Sequence, residues 1–260
     1  MNRRPTTKSA NRDERWAVIT GCLGGIGQAL VDEFTAAGYR ILGTDFRKGP
    51  HRQSPRIDKY LDCDLDQFVK IAKYRSEQLR VIKQTIGPRL YVLVNNAALQ
   101  VIKRIEDLTT NDWERTQRVN VTAPFFLAQG LIQELQAAAG GIINVGSIHA
   151  KLTKPKFVAY ATSKAAIVGL TQAMAVELGS RVRVNAVCPA AVATPMLLEG
   201  FSENTEKLRE LAVAHPVQRI GKPEEVARAV RLLGDGTLGF VTGATLNVDG
   251  GIGARLHDPI

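Results

Sequence analysis

Ala17-Val18-Ile19-Thr20-Gly21-Cys22-Leu23-Gly24-Gly25-Ile26-Gly27 decides the architecture of this chain. Its first four residues are a short apolar run closed by threonine, the pattern of a strand buried on both faces. Glycines then turn the backbone. The residues from Gly25 to Ala37 read as a helix that stops at Gly38. A strand feeding a helix through such a turn aims backbone N–H groups at one point, where a helix N-terminus favours negative charge. The spacing is G-x-x-x-G-x-G, and glycines there let the backbone approach a pyrophosphate closely. A tight turn without a ligand has the same composition, so the rest of the chain must decide.

Outward from this unit, apolar runs alternate with helical stretches. Strands are expected at Arg40 to Thr44, Tyr60 to Asp62, Tyr91 to Val94, Gly141 to Val145, Arg181 to Val187 and Thr245 to Val248. Helices are expected from Asp66 to Thr85, from about Asn111 to Ala138, from Ala159 to Leu178, and after Pro223, whose neighbours Glu224 and Glu225 suit a first turn. Non-alternating strands interleaved with helices predict an α/β fold: a three-layer, doubly wound parallel sheet in a single domain, with ligands beyond the strand carboxyl ends. The domain is expected over residues 15–260, after a disordered basic tail at 1–14. The irregular stretch from Pro189 to Pro216 reads as a mobile lid over the site.

Composition narrows the function classes. The 260 residues, 45% hydrophobic and 23% charged, match an ordinary folded domain. No apolar run is long enough to span a membrane, and the polar N-terminal stretch lacks the apolar core of a secretory signal. Cys22, Cys63 and Cys188 stand far apart with no C-x-x-C, so neither a disulfide framework nor a metal site is expected, and a reducing cytoplasm suits the chain. The net charge is +9, of which residues 1–15, with five basic and two acidic residues, carry +3. The body's basic residues are scattered without interleaved aromatics, so nucleic-acid binding is weakly supported. A basic pocket for anionic cofactor and substrate explains the charge more economically.

Asp45 ends the second strand about twenty residues after the glycine turn, where a carboxylate accepts hydrogen bonds from ribose hydroxyls. It also repels a 2′-phosphate, so NAD is favoured over NADP; Arg47 and Lys48 are what keeps NADP open. Asp64 has two readings, an adenine contact or the N-cap of the next helix. Asn95-Asn96-Ala97-Ala98 follows the fourth strand with small residues that let the backbone pass a cofactor.

Tyr160-Ala161-Thr162-Ser163-Lys164 places a phenol and an ammonium on one helical face, thirteen residues after Ser147. An adjacent positive charge makes a phenol easier to ionise, giving a general acid/base near neutral pH. Ser147, after the fifth strand, is placed to hydrogen-bond a substrate oxygen while Tyr160 exchanges a proton with it. Asn120 sits inside the long helix, and Pro124, four residues on, has no N–H to offer its carbonyl. That turn offers water a route between Asn120 and Lys164.

In its ordered motifs the chain from Ala17 to Gly251 resembles the short-chain dehydrogenase/reductase family. The matches are Thr20-Gly21-x-x-x-Gly25-Ile26-Gly27, Asn95-Asn96-Ala97, Asn120, Ser147, Tyr160-x-x-x-Lys164, Arg183-Val184-Asn185-Ala186-Val187 and Val248-Asp249-Gly250-Gly251. The resemblance implies a Rossmann fold, a catalytic tetrad of Asn120, Ser147, Tyr160 and Lys164, and commonly a homotetramer. It implies a cofactor envelope of Gly21, Leu23, Gly25, Ile26, Gly27, Asp45, Asp64, Leu65, Asn96, Ala97, Tyr160, Lys164, Pro189, Val192 and Thr194. Two positions depart from the family pattern: Ala98 and Ala190 stand where glycine is usual. Ala190 narrows the space near the nicotinamide and requires an ordinary φ.

The expected function is hydride transfer between a nicotinamide cofactor and a secondary alcohol or ketone. An NADP-dependent 3-oxoacyl thioester reductase is the near alternative, and a nucleotide-sensing or nucleic-acid-binding protein on the same fold the distant one. Candidate substrate contacts are His149, Ala190 and Met196. His149 reads equally as an exposed loop residue. Lys151, Lys154 and Lys156 read first as a solvated loop and second as an attractor for an acidic substrate. The lid's Met196, Leu197, Leu198 and Phe201 either cover an apolar substrate or pack against the core.

Overall fold

The computed structural model describes residues 15–46, 56–201 and 204–256. The expected tail at 1–14, Arg47 and Lys48 lie outside them, as does the side chain of Met196. Seven strands form one parallel sheet: β1 (Trp16–Thr20), β2 (Arg40–Asp45), β3 (Lys59–Asp62), β4 (Val92–Asn95), β5 (Gly141–Val145), β6 (Arg183–Pro189) and β7 (Thr245–Val248). Their order across the sheet is β3-β2-β1-β4-β5-β6-β7. The reversal between β1 and β4 opens a crevice at the strand carboxyl ends, where this architecture binds ligands.

Neighbouring residues on one strand serve opposite layers. Ile19, Val92 and Ile143 face the core under α1 (Gly25–Ala36) and a late helix, Pro223–Gly234. Val18, Leu93 and Ile142 face the core on the other side, with Phe68, Ile82, Leu127 and Leu135. Both faces are therefore dry, which is why the strands are apolar without alternation.

Three stretches differ from the sequence expectation. The helix expected at Asp66 to Thr85 is two helices, α2 (Leu65–Lys70) and α3 (Ala72–Ile86), separated where Ile71 takes extended angles. The helix expected at 111–138 is segmented: α4 (Thr110–Gln117), a turn of π-helix at Arg118–Thr122, α5 (Ala123–Gly130) and α6 (Ile132–Ala137). Pro124 removes an N–H from the α-ladder, and the Ala123 N–H reaches back to the Arg118 carbonyl instead. After β5, α7 (Val158–Leu178) is unbroken. The stretch expected to be irregular carries two helices, α8 (Pro195–Glu199) and α9 (Thr205–Ala214), before α10 (Pro223–Gly234). Its two ends are clasped together: Ala193 N–H donates to the Gly221 carbonyl (2.9 Å) and Gly221 N–H to that of Ala191 (2.8 Å).

Candidate active site

The glycine turn joins β1 to α1, and two of its glycines are sterically required. Gly21 has φ +63°, and a Cβ there would meet the Ala97 backbone at 2.8 Å. A Cβ on Gly27 would lie 2.0 Å from the Gly21 carbonyl, so Gly27 lets α1 start against the turn itself. Thr20 Oγ1 accepts the N–H groups of Asn96 and Ala97, each at 3.0 Å. Asn96 Nδ2 returns two bonds of 3.0 Å to the Thr20 and Gly21 carbonyls. The Asn-Asn-Ala segment thus clamps the turn to β4.

These residues fit a dinucleotide. The α1 N-cap is Gly24, which has no side chain to satisfy the helix's first amides. Asp45, buried at the end of β2, accepts the Leu23 N–H through Oδ2 at 3.2 Å, placing a carboxylate beside the turn. Gly25 lies against Thr194 and Pro195, so the stretch after β6 reaches over the turn. Val192 is buried there and bridges to Gly221. Asp64 caps α2 by accepting the amides of Asp66 (2.8 Å) and Gln67 (3.3 Å). Leu65 is buried behind it. Pro189 closes β6, and Ala190 has no positive φ, as its methyl group requires.

The tetrad candidates converge at the ends of β5 and α7. Ser147 is buried, and its Oγ accepts the His149 N–H at 3.2 Å. The Tyr160 phenol lies near Ser147, whose side chain favours its ionised form. Lys164 is buried, its Nζ donating to the Val145 carbonyl at 2.7 Å and lying 5.5 Å from the Tyr160 ring centre. Burial pushes the Tyr160 phenol up to about 12 and outweighs the lowering by nearby Ser147. Burial thus opposes the ionisation that the Tyr-x-x-x-Lys spacing favours. Burial also brings Lys164 down to about 8.

Asn120 lies in the π-turn and is buried. Its Oδ1 accepts the Leu99 N–H at 2.7 Å; its Nδ2 donates to the Leu99 carbonyl and to Ser163 Oγ, each at 2.9 Å. Ser163 Oγ donates to the Tyr160 carbonyl at 2.7 Å. Asn120 thus ties the loop after β4 to the first turn of α7, and the structure gives it no direct bond to Lys164. His149 is half-buried: its ring stacks on Phe157 at 4.5 Å and meets Tyr160 edge-on at 5.6 Å. Sequence reasoning passed over Thr20, Ser163 and Phe157. The first two sit within quoted motifs, whereas no pattern marked Phe157.

Comparison with known proteins agrees with this geometry. A family model described as enoyl-(acyl carrier protein) reductase matches residues 21–253. The chain is 32% identical over 240 residues to a 3-oxoacyl-(acyl-carrier-protein) reductase of Thermotoga maritima, covering 90% of this chain and 96% of the relative. It is 30% identical over 251 residues to an NAD-dependent glycerol dehydrogenase of Listeria innocua, covering 94% and 96%. Among solved structures, the ligand-free aldohexose dehydrogenase of Thermoplasma acidophilum superimposes with a TM-score of 0.86 at 28% identity, covering 96% of this chain and 98% of that one. Sheet order, glycine turn, tetrad constellation and full-length similarity together establish that the chain belongs to the short-chain dehydrogenase/reductase family and is a nicotinamide-dependent oxidoreductase.

Proposed function

We propose that the enzyme interconverts a secondary alcohol and its ketone, with Tyr160 as the proton donor and acceptor. The observation that carries this reading is the convergence of Ser147, Tyr160 and buried Lys164, whose Nζ lies 5.5 Å from the Tyr160 ring centre, at the crevice. The nicotinamide supplies or accepts the hydride at the substrate carbon. In the reducing direction Ser147 hydrogen-bonds the carbonyl oxygen and Tyr160 gives it a proton. The positive charge of Lys164 favours the phenolate left behind. Asn120 holds the first turn of α7 so that Tyr160 faces Ser147, and we place its π-turn on the route by which the proton leaves Lys164. In this reading the amides of the glycine turn would hold the pyrophosphate, with Val192 and Thr194 beside it.

Asp45 beside the turn supports NAD over NADP, because a 2′-phosphate would meet a carboxylate there. We read 189–216 as the substrate lid, clasped at Gly221, and residues 15–260 as the catalytic domain. Wild type and Tyr160→Phe, assayed with NADH and NADPH on a ketone panel, test the assignment. The variant should bind NADH normally by fluorescence and lose turnover at least a hundredfold. Near-full activity in Tyr160→Phe would remove Tyr160 from the proton step, and equal kcat/KM with both cofactors would remove Asp45 as the selector.

A further inference from the structure

Ser147 also lines a cavity of about 240 Å³, together with Lys151, Cys188, Thr245 and Asn247. The walls come from the loop after β5, helix α7 through Ala165 and Val168, the end of β6, strand β7 and Gly253. Polar groups converge on this space. Thr245 Oγ1 is buried without a hydrogen-bond partner, a state that a ligand oxygen or water would relieve. Lys151 is the charged residue of the lining. Among the described residues, no carboxylate lies within ion-pair distance of Lys151, whereas Lys103 is paired with Asp112 at 2.6 Å. Asp249, after β7, is turned to its own loop: Oδ1 accepts the Gly251 amide and Oδ2 the Gly253 amide.

The loop that carries Lys151 is held in place. Its N–H donates to the Ile148 carbonyl at 3.0 Å, and His149 Nδ1 pairs with Thr153 Oγ1 at 2.9 Å. The His149 ring clusters with Phe157 and Tyr160, which also meet each other edge-on at 6.2 Å. Lys151 is exposed, and its backbone belongs to a segment registered on the catalytic phenol, so its ammonium stands at the mouth of a largely apolar cavity where it can meet an opposite charge. The volume falls below the usual range of about 300–1,000 Å³ for drug-sized ligands, so it suits a molecule of a few carbons.

We propose that the substrate is a small hydroxy or keto acid whose carboxylate lies in this cavity on Lys151, with hydrogen bonds from Thr245 and Asn247, while its reacting oxygen meets Ser147 and Tyr160. The inference rests on the proposed reaction and adds to it the substrate's charge and size. The test compares short-chain 2- and 3-hydroxy acids with their methyl esters as NAD-dependent substrates of wild type, Lys151→Gln and Lys151→Arg. Calorimetric titration with butyrate, which carries the carboxylate but no reacting hydroxyl, gives a second readout. Wild type should prefer an acid to its ester. Lys151→Gln should lose at least tenfold in kcat/KM for the acid, through KM, and weaken butyrate binding by a similar factor. It should leave the ester unchanged, and Lys151→Arg should restore most of the loss. Ester turnover with no effect of Lys151 on the acid overturns this inference and leaves the proposed reaction standing. Lysine-dependent butyrate binding without oxidation of any secondary alcohol supports the cavity assignment and overturns the reaction instead.

Discussion

Tyr160 and Lys164 show how far local spacing and burial can pull apart. Four residues of helix bring the phenol and the ammonium to one face, and that much follows from helical geometry. Which group titrates where depends on the water that the fold removes. Lys164 sits at about 8 against an ordinary 10.5, so the native chain releases this proton before the unfolded chain does. Between those values stability rises with pH, and at neutrality the buried charge destabilises the fold. At about 1.4 kcal/mol per pH unit, Lys164→Met should stabilise the cofactor-free protein at pH 7 by on the order of 3 kcal/mol while abolishing turnover. Urea unfolding of both proteins at pH 7 and pH 10 measures this. The gap should shrink at pH 10, and unchanged midpoints at pH 7 would show that Lys164 is not buried as a charge. In the reducing direction, kcat should fall as pH rises past about 8, because the charge that favours the Tyr160 phenolate is lost.

The helical elements carry the clearest departures from the sequence reading. Asn120 and Pro124 announce trouble in the helix beginning near Asn111, yet they do not reveal its form, a π-turn that swings the Asn120 side chain onto Leu99 and Ser163. With three buried hydrogen bonds at about 1 kcal/mol each, Asn120→Ala should destabilise the protein by roughly 2–4 kcal/mol, since the partners left behind stay buried. It should also lower kcat more than it raises KM, as Tyr160 loses its register. A chemical-denaturation curve with a parallel kinetic assay would show both effects. Loss of stability with unchanged kcat would make Asn120 a purely structural tie. The break at Ile71 and the helices inside 189–216 had no comparable marker, because Ile71 has no intrinsic reason to stop a helix and the second stretch is flanked by prolines at both ends.

At the scale of the whole molecule, the sheet ends on β7, whose outer edge has no strand partner among the described residues and whose Leu246 is exposed. On the long helix α7, Val176 is 84% exposed, and Phe125 and Trp113 also face outward from α5 and α4. An open edge and apolar helix faces are liabilities that association removes. We propose a homotetramer built on these surfaces. Light scattering coupled to size exclusion should give four times the chain mass, and Val176→Asp should reduce it; a monomer at micromolar concentration would contradict the proposal. No described helix is long and apolar enough to cross a membrane.

The sequence by itself determined the alternation of strand and helix, the glycine turn at Gly21–Gly27, and the order in which Asn120, Ser147, Tyr160 and Lys164 arrive. Each of these rests on local periodicity, steric tolerance or spacing along one element. Tertiary structure alone decided that Asp64 caps α2, that Asn96 clamps the turn through Thr20, and that His149 stacks on Phe157 against Tyr160. It also decided that Lys151 shares a cavity with Thr245 and Asn247, nearly a hundred residues away. Those pairings join elements distant in the chain. Burial, which sets the proton affinities of Tyr160 and Lys164, exists only once the layers have closed over them.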